Sequence, residues 1–232
     1  MKLVDLSREI THRMPLHPAH PPVTIGVWND HSEIRRAGST TFTSSSLHLT
    51  LGDHAGTHVD APRHFDPAPD AASIDKVPLE NFYTEAVCLD LSLVPLKHDI
   101  AVEELQAAER AAGVTIQPGD TVLIHMGHYA RTWGSDAYLH DFPGLSVEAA
   151  RWLGSKGIVS FGVEAVSPGT EGETNYRVHL VCKEMGFTHM GGLVNLEQLV
   201  GKGRFRFCGF PLKIKGGTAS PIRAVAILDD PE

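Results

Sequence analysis

Short apolar runs alternating with capped helical stretches constrain this chain more than any other feature. Thr121-Val122-Leu123-Ile124 follows a Pro-Gly-Asp turn, and Ala86 to Leu91 and Ile158 to Val163 are runs of similar length. Runs this short and apolar read as strands. Between them lie helix start and stop signals. Asp99 is positioned to cap a helix ending near Gly113, with Val102, Leu105 and Ala108 on its buried face. Ser146 caps a second through Trp152 and Leu153 to Gly157, and Thr174 or Asn175 opens a third that carries Tyr176, His179 and Leu180 to Gly186. Leu3 to Leu6, Arg204 to Leu212 and Ile222 to Leu228 read as further strands. From Thr40 to Leu51 the pattern has period two, which predicts a half-buried strand with Leu47, Leu49 and Leu51 on one face. The proline-rich stretch from His12 to Val23 predicts an extended loop. Strands interleaved with helices give the α/β class, a single domain over residues 1–232 with a mixed β-sheet flanked by helices.

A chain of 232 residues, 42% hydrophobic and 21% charged, can bury a core without staples. A net charge of −8 with no block of like charge argues against sequence-independent nucleic-acid binding. No stretch approaches the roughly 18 apolar residues of a membrane helix. Asp5, Arg8 and Glu9 stand where a signal peptide needs an apolar run. Cys88, Cys182 and Cys208 are odd in number and lack C-x-x-C spacing, so they read as buried free thiols in a reducing compartment. A cytoplasmic protein is expected.

The chain has 14 histidines, and three of them fall within His54-Ala55-Gly56-Thr57-His58-Val59-Asp60-Ala61-Pro62-Arg63-His64-Phe65. Two imidazoles and a carboxylate at spacings of four and two form an N/O ligand set that zinc or manganese accepts. On a straight strand the His54 and His58 Cα atoms would be about 13 Å apart, awkward for one ion. A helical turn would bring them together but turn Asp60 away, and Gly56 and Pro62 both oppose a helix. The spacing therefore predicts an irregular segment bent at Gly56. No G-x-S-x-G elbow, Walker A loop or H-E-x-x-H helix competes with it. GKGRFRF, from Gly201, lacks the setting of a phosphate loop and reads as a turn before a strand.

His54 to Phe65 resembles, position for position, the H-x-G-T-H-x-D-x-P-x-H-F signature of the cyclase-like metal hydrolases, the family of bacterial kynurenine formamidase and isatin hydrolase. Val4-Asp5-Leu6-Ser7, Pro143-Gly144-Leu145-Ser146, Gly162-Val163-Glu164 and Ala219-Ser220-Pro221-Ile222-Arg223-Ala224 extend the resemblance along the chain. It implies a swivelling β/β/α, cyclase-like fold and assembly into homodimers or homotetramers. It implies that His54, His58 and Asp60 ligate a metal and that His64 is the general acid/base beside it. Thr57 would either brace a ligand or satisfy nearby backbone. In two-metal members of the family a later histidine and a glutamate hold the second ion. His179 matches that histidine, but Gly191 stands where the glutamate is expected. One ion, Zn2+ or alternatively Mn2+, is therefore expected rather than two, with His189 as a substitute neutral ligand for a second.

Three protein ligands leave room for a water whose pKa zinc can bring to about 7. The expected reaction is attack of that hydroxide on an amide, formamide or lactam carbonyl, with His64 relaying a proton to the departing nitrogen. Trp28, Phe65, Tyr129 and Trp133 are candidates for an aromatic substrate pocket. A small aryl formamide is the first reading. An isatin-type lactam or a polyketide-type cyclisation is the alternative, and a non-catalytic metal-dependent binding protein is the alternative of another class.

Overall fold

The computed structural model describes residues 1–229. Strands are β1 (Lys2–Asp5), β2 (Thr24–Asn29), β3 (Ile34–Ala37), β4 (Thr40–Thr43), β5 (Ser46–Thr50), β6 (His58–Asp60), β7 (Tyr83–Asp90) and β8 (Asp99–Ile100). They continue with β9 (Thr121–His125), β10 (Gly144–Leu145), β11 (Ser160–Val163), β12 (Thr188–Gly191), β13 (Arg204–Cys208), β14 (Ala219–Pro221) and β15 (Val225–Leu228). Helices are α1 (Pro62–Phe65), α2 (Val102–Ala111), α3 (His128–Thr132), α4 (Ala137–His140), α5 (Val147–Ser155) and α6 (Glu173–Met185).

Nine strands form one mixed sheet in the order β1-β15-β13-β7-β9-β11-β12-β6-β14. Its middle, β7-β9-β11-β12, is parallel, and the strands on both sides run antiparallel. Each parallel neighbour requires a crossover, and α2, α5 and α6 supply them. Period-two alternation divides the core. Val87, Leu89, Val122 and Ile124 meet the helices, while Ala86, Cys88 and Leu123 join Val4, Phe205, Phe207 and Ala226 on the opposite face.

Ser146 caps α5 as the sequence predicts, its hydroxyl accepting from Ala149 N at 3.1 Å, and Gly186 closes α6 in the left-handed conformation. Two starts differ from expectation. Asp99 lies in a short strand rather than at a cap, because Glu104 reaches back to Ala101 N at 2.8 Å and α2 begins at Val102. The cap of α6 is Gly172, two residues before Thr174.

The expected half-buried strand over Thr40–Leu51 is overturned. It is two strands, β4 and β5, exposed on both faces. β5 pairs with β2 and β4 with β3, so residues 24–50 make a two-stranded arm outside the main sheet. Alternation implied one buried face, but no element among the described residues covers it.

Candidate metal centre

The segment from His54 bends as its spacing requires. Gly56 takes φ +70°, a conformation open to glycine, and the chain then enters β6, so His54 returns beside His58 with ring centroids 5.2 Å apart. His58 and Asp60 point to the same face of β6 while Val59 enters the core on the other. Pro62 starts α1, which carries His64 and Phe65 back over that face, and α6 packs against α1 and brings His179.

Two ligand nitrogens face one carboxylate oxygen. His54 Nδ1 is 3.0 Å and His58 Nε2 3.6 Å from Asp60 Oδ1. Tetrahedral ligands about 2.0–2.1 Å from zinc lie roughly 3.3–3.4 Å from each other, so these separations bracket the spacing an ion imposes. The opposite ring nitrogens fix the tautomers. His58 Nδ1 donates to the Gly56 carbonyl at 3.0 Å, which leaves Nε2 as a lone pair. Thr218 Oγ1 donates to Asp53 Oδ2 at 2.8 Å and so accepts from His54 Nε2 at 3.1 Å, turning the Nδ1 lone pair toward Asp60. Asp60 Oδ1 is itself buried without an aligned hydrogen-bond donor. Acceptors converging on one point, without a donor, suit a cation.

The other carboxylate oxygen has its own ring of imidazoles. His189 Nε2 lies 3.3 Å, His64 Nε2 3.7 Å and His179 Nε2 4.0 Å from Asp60 Oδ2. His179 Nδ1 donates to Asn175 O at 2.7 Å, so its Nε2 is also a lone pair when the ring is neutral. Asp60, His64 and His179 thus form a second potential ligand group sharing the carboxylate with the first. Gly191 pairs with His58 across the β12–β6 ladder, and a Cβ there would stand 3.0 Å from His58 Cε1.

Electrostatics follow burial and the shared carboxylate. Burial works to raise Asp60, but the imidazoles of His189, His54 and His58 outweigh it and hold the carboxyl well below its usual range. Burial pushes His58 down to about 4 and drives His189 well below the usual imidazole value despite Asp60 beside each. His64 is also lowered by burial, against Asp60. In His54 burial loses to the neighbouring carboxylates of Asp60 and Asp53, and the value rises. His64 is the most open ring of the five, its side chain 31% exposed.

Thr57 satisfies backbone: its hydroxyl donates to Gly192 O at 2.6 Å and accepts from Arg8 N at 2.9 Å. Phe65 reaches the cluster, its ring 6.0 Å from His179 and 6.4 Å from His189. Tyr129 and Trp133 stack on each other at 4.9 Å, and Trp133 adjoins the site through the Arg8 guanidinium, 5.4 Å from its ring. Trp28, expected with them, lies instead on the arm and is 77% exposed, because β2 projects from the body that holds the cluster.

Arg8, His20 and Asp53 escape the sequence reading. The first two join Leu16, His17, Gly56 and Val166 in closing a cavity over His54 and His58. His20 stacks on His54 with centroids 4.5 Å apart, yet nothing in its proline-rich loop marks it. Asp53 accepts from Thr218 N, Thr218 Oγ1 and Ala219 N and so orients His54 through Thr218; its adjacency to the motif was the one available signal.

This fold and centre are those of a metal-dependent hydrolase class, and the comparisons agree. Residues 4–170 match the family model described as "Putative cyclase". The chain belongs to this cyclase family. It is 31% identical to kynurenine formamidase of Delftia acidovorans over 76% of this chain and 77% of that protein. It is 28% identical to isatin hydrolase of Roseibium aggregatum over 78% of this chain and 73% of that one. The solved structure of isatin hydrolase A from Ralstonia solanacearum superposes with a TM-score of 0.83 at 27% identity, covering 98% of this chain and 92% of that chain.

Proposed function

We propose that the protein is a metal-dependent hydrolase of small aryl amides, foremost formamides, with one zinc or manganese ion held by His54, His58 and Asp60. The observation that carries this reading is the convergence of two imidazole lone pairs on a buried carboxylate oxygen, at ligand–ligand spacing, beside a further open imidazole. A divalent cation held there supplies Lewis acidity for a carbonyl and an acidified water. The remaining work falls to side chains. Asp53, through Thr218, and the Gly56 carbonyl keep His54 and His58 in the ligating tautomers. Asp60 stays ionised and supplies the charge. His64, kept neutral by burial, accepts a proton from the attacking water and delivers it to the departing nitrogen. Phe65 offers an aromatic face to an aryl group.

The structural match to isatin hydrolase supports lactam opening as a second reading, because the same residues serve a cyclic amide. Cytoplasmic residence fits the three cysteines, none of them in a disulfide among the described residues. Assembly into a homodimer or homotetramer fits the uncovered arm.

Aryl formamide hydrolysis by the metal-loaded protein, abolished by EDTA, is the expected result; His64→Ala loses about 10²–10⁴-fold in turnover while still binding metal. Equal loss of metal would make His64 a ligand. Inertness of the loaded protein across aryl formamides, lactams and esters, with ligand binding retained, would make it a binding module.

A further inference from the structure

His189 differs from the neighbouring imidazoles in what lies behind its ring. A ligating imidazole donates the proton of its second nitrogen to an acceptor that fixes the tautomer. His54 has Thr218 Oγ1 for this, His58 has Gly56 O and His179 has Asn175 O. His189 has none: it is 3% exposed, and its Nδ1 is without a hydrogen-bond partner among the described residues. The rings of Phe161 and Phe65, near-parallel to it at 5.7 and 6.4 Å, offer no acceptor. The other nitrogen, Nε2, faces Asp60 Oδ2 at 3.3 Å, closer than that of His64 or His179. A proton on Nδ1 would leave a dry N–H without an acceptor and turn the Nε2 lone pair onto a carboxylate oxygen. A proton on Nε2 meets an anion instead and leaves only an unpaired acceptor. A doubly protonated ring carries the same Nε2–H. The ladder sets this contact: Met190 pairs with Val59 and Gly191 with His58, which brings His189 beside Asp60, and Thr188 Oγ1 donates to Asp60 O at 2.5 Å. Adjacent residues of β12 thus reach both the backbone and the carboxylate of Asp60.

We infer that His189 is a positioning residue of the centre and not a ligand: its Nε2–H holds Asp60 by Oδ2 and leaves Oδ1 to face the ion with His54 and His58. This rests on the metal-centre reading above and deepens it. With Oδ2 engaged, the carboxylate is kept from swinging and meets a cation through one oxygen.

Nitrogen NMR of the full chain, isotope-labelled in its histidine rings, tests this without metal and after loading with Zn2+, with His189→Gln identifying the resonances. His189 should show a protonated Nε2 and a bare Nδ1 in both states, while the His54 and His58 nitrogens move on loading. A His189 proton on Nδ1 in the metal-free protein, or an Nε2 that loses its proton on loading, would overturn the inference. Zinc affinity, read by competition with a chelating dye, is the second measurement. His189→Leu, which has no donor, should bind zinc about tenfold to a hundredfold more weakly, the usual effect of losing a group that orients a ligand. His189→Gln, whose amide N–H can reach Oδ2, should recover most of that loss. Equal losses in the two variants would count against the donor role and overturn it. Should the Leu variant fail to fold, the wild-type spectra decide. If zinc moves no histidine resonance, the metal-centre reading falls, while an Nε2 proton on His189 still establishes it as the anchor of Asp60.

Discussion

His54 carries the sharpest consequence of the site's electrostatics. Its ring is held above the ordinary imidazole value by Asp60 and Asp53 against burial, while His58 is pushed down to about 4. At neutral pH His58 therefore presents its lone pair already, whereas a proton competes with a cation for His54 Nδ1. Metal affinity should be flat well above the raised His54 value and fall as pH drops through it, by about tenfold per unit for one displaced proton. Titrating the metal in buffers of different ionisation heat counts that proton: up to one released near pH 6.5 in the wild type, and a smaller fraction in Asp53→Asn, which removes the lesser carboxylate contribution and leaves that of Asp60. Release of no proton by the wild type would contradict the raised value. At this scale the sequence was most informative where ligands cluster within seven residues, as His54, His58 and Asp60 do. It was silent on Arg8 and His20, which are 46 and 34 residues from His54 in the chain and reach it only through the fold.

Elements whose signals are local were legible before the fold was known. The short apolar runs of β7, β9 and β11 and the Ser146 and Gly186 boundaries depend on side-chain patterning and capping within a few residues. β6, β12 and β14 were not legible, because HVD, THMG and ASP carry no apolar run of their own and acquire strand character from neighbours far along the chain: β6 is held by β12 on one side and β14 on the other. The junction before α5 allows the two kinds of constraint to be weighed. Ser146→Ala removes one cap hydrogen bond and should cost about 1 kcal/mol. Gly144→Ala puts a Cβ 2.3 Å from Gly169 C and Thr170 N, backbone atoms with no side chain to yield, and should cost about 3 kcal/mol or more. Urea denaturation of both variants at one fixed metal concentration checks the order, since bound metal would otherwise shift the midpoints. A milder effect at Gly144 than at Ser146 would mean that β10 and the Gly169 segment are not packed as described.

The molecule as a whole leaves one surface without an explanation inside a single chain. Isolated two-stranded hairpins are marginal in water, yet residues 24–50 form such an arm and expose Val27, Trp28, Ile34, Phe42, Leu47 and Leu49 on it. Exposed apolar rows beside free strand edges invite pairing with another chain. A closed symmetric assembly of copies of this chain uses both features, and the arm's Arg35 and Arg36 suit a body whose sequence carries a net charge of −8. Light scattering after size exclusion should therefore give two or four chains per particle. Trp28→Ser combined with Phe42→Ser should shift that mass toward the monomer and lower the thermal midpoint in a concentration-dependent way, because the arm loses its cover together with its partner. The proposed metal ligands His54, His58 and Asp60 come from β6 and the segment just before it in one chain, so metal content per chain should survive the dissociation. A monomeric wild type would refute the assembly, and a double variant that dissociates and also loses its metal would mean that the partner helps to build the centre.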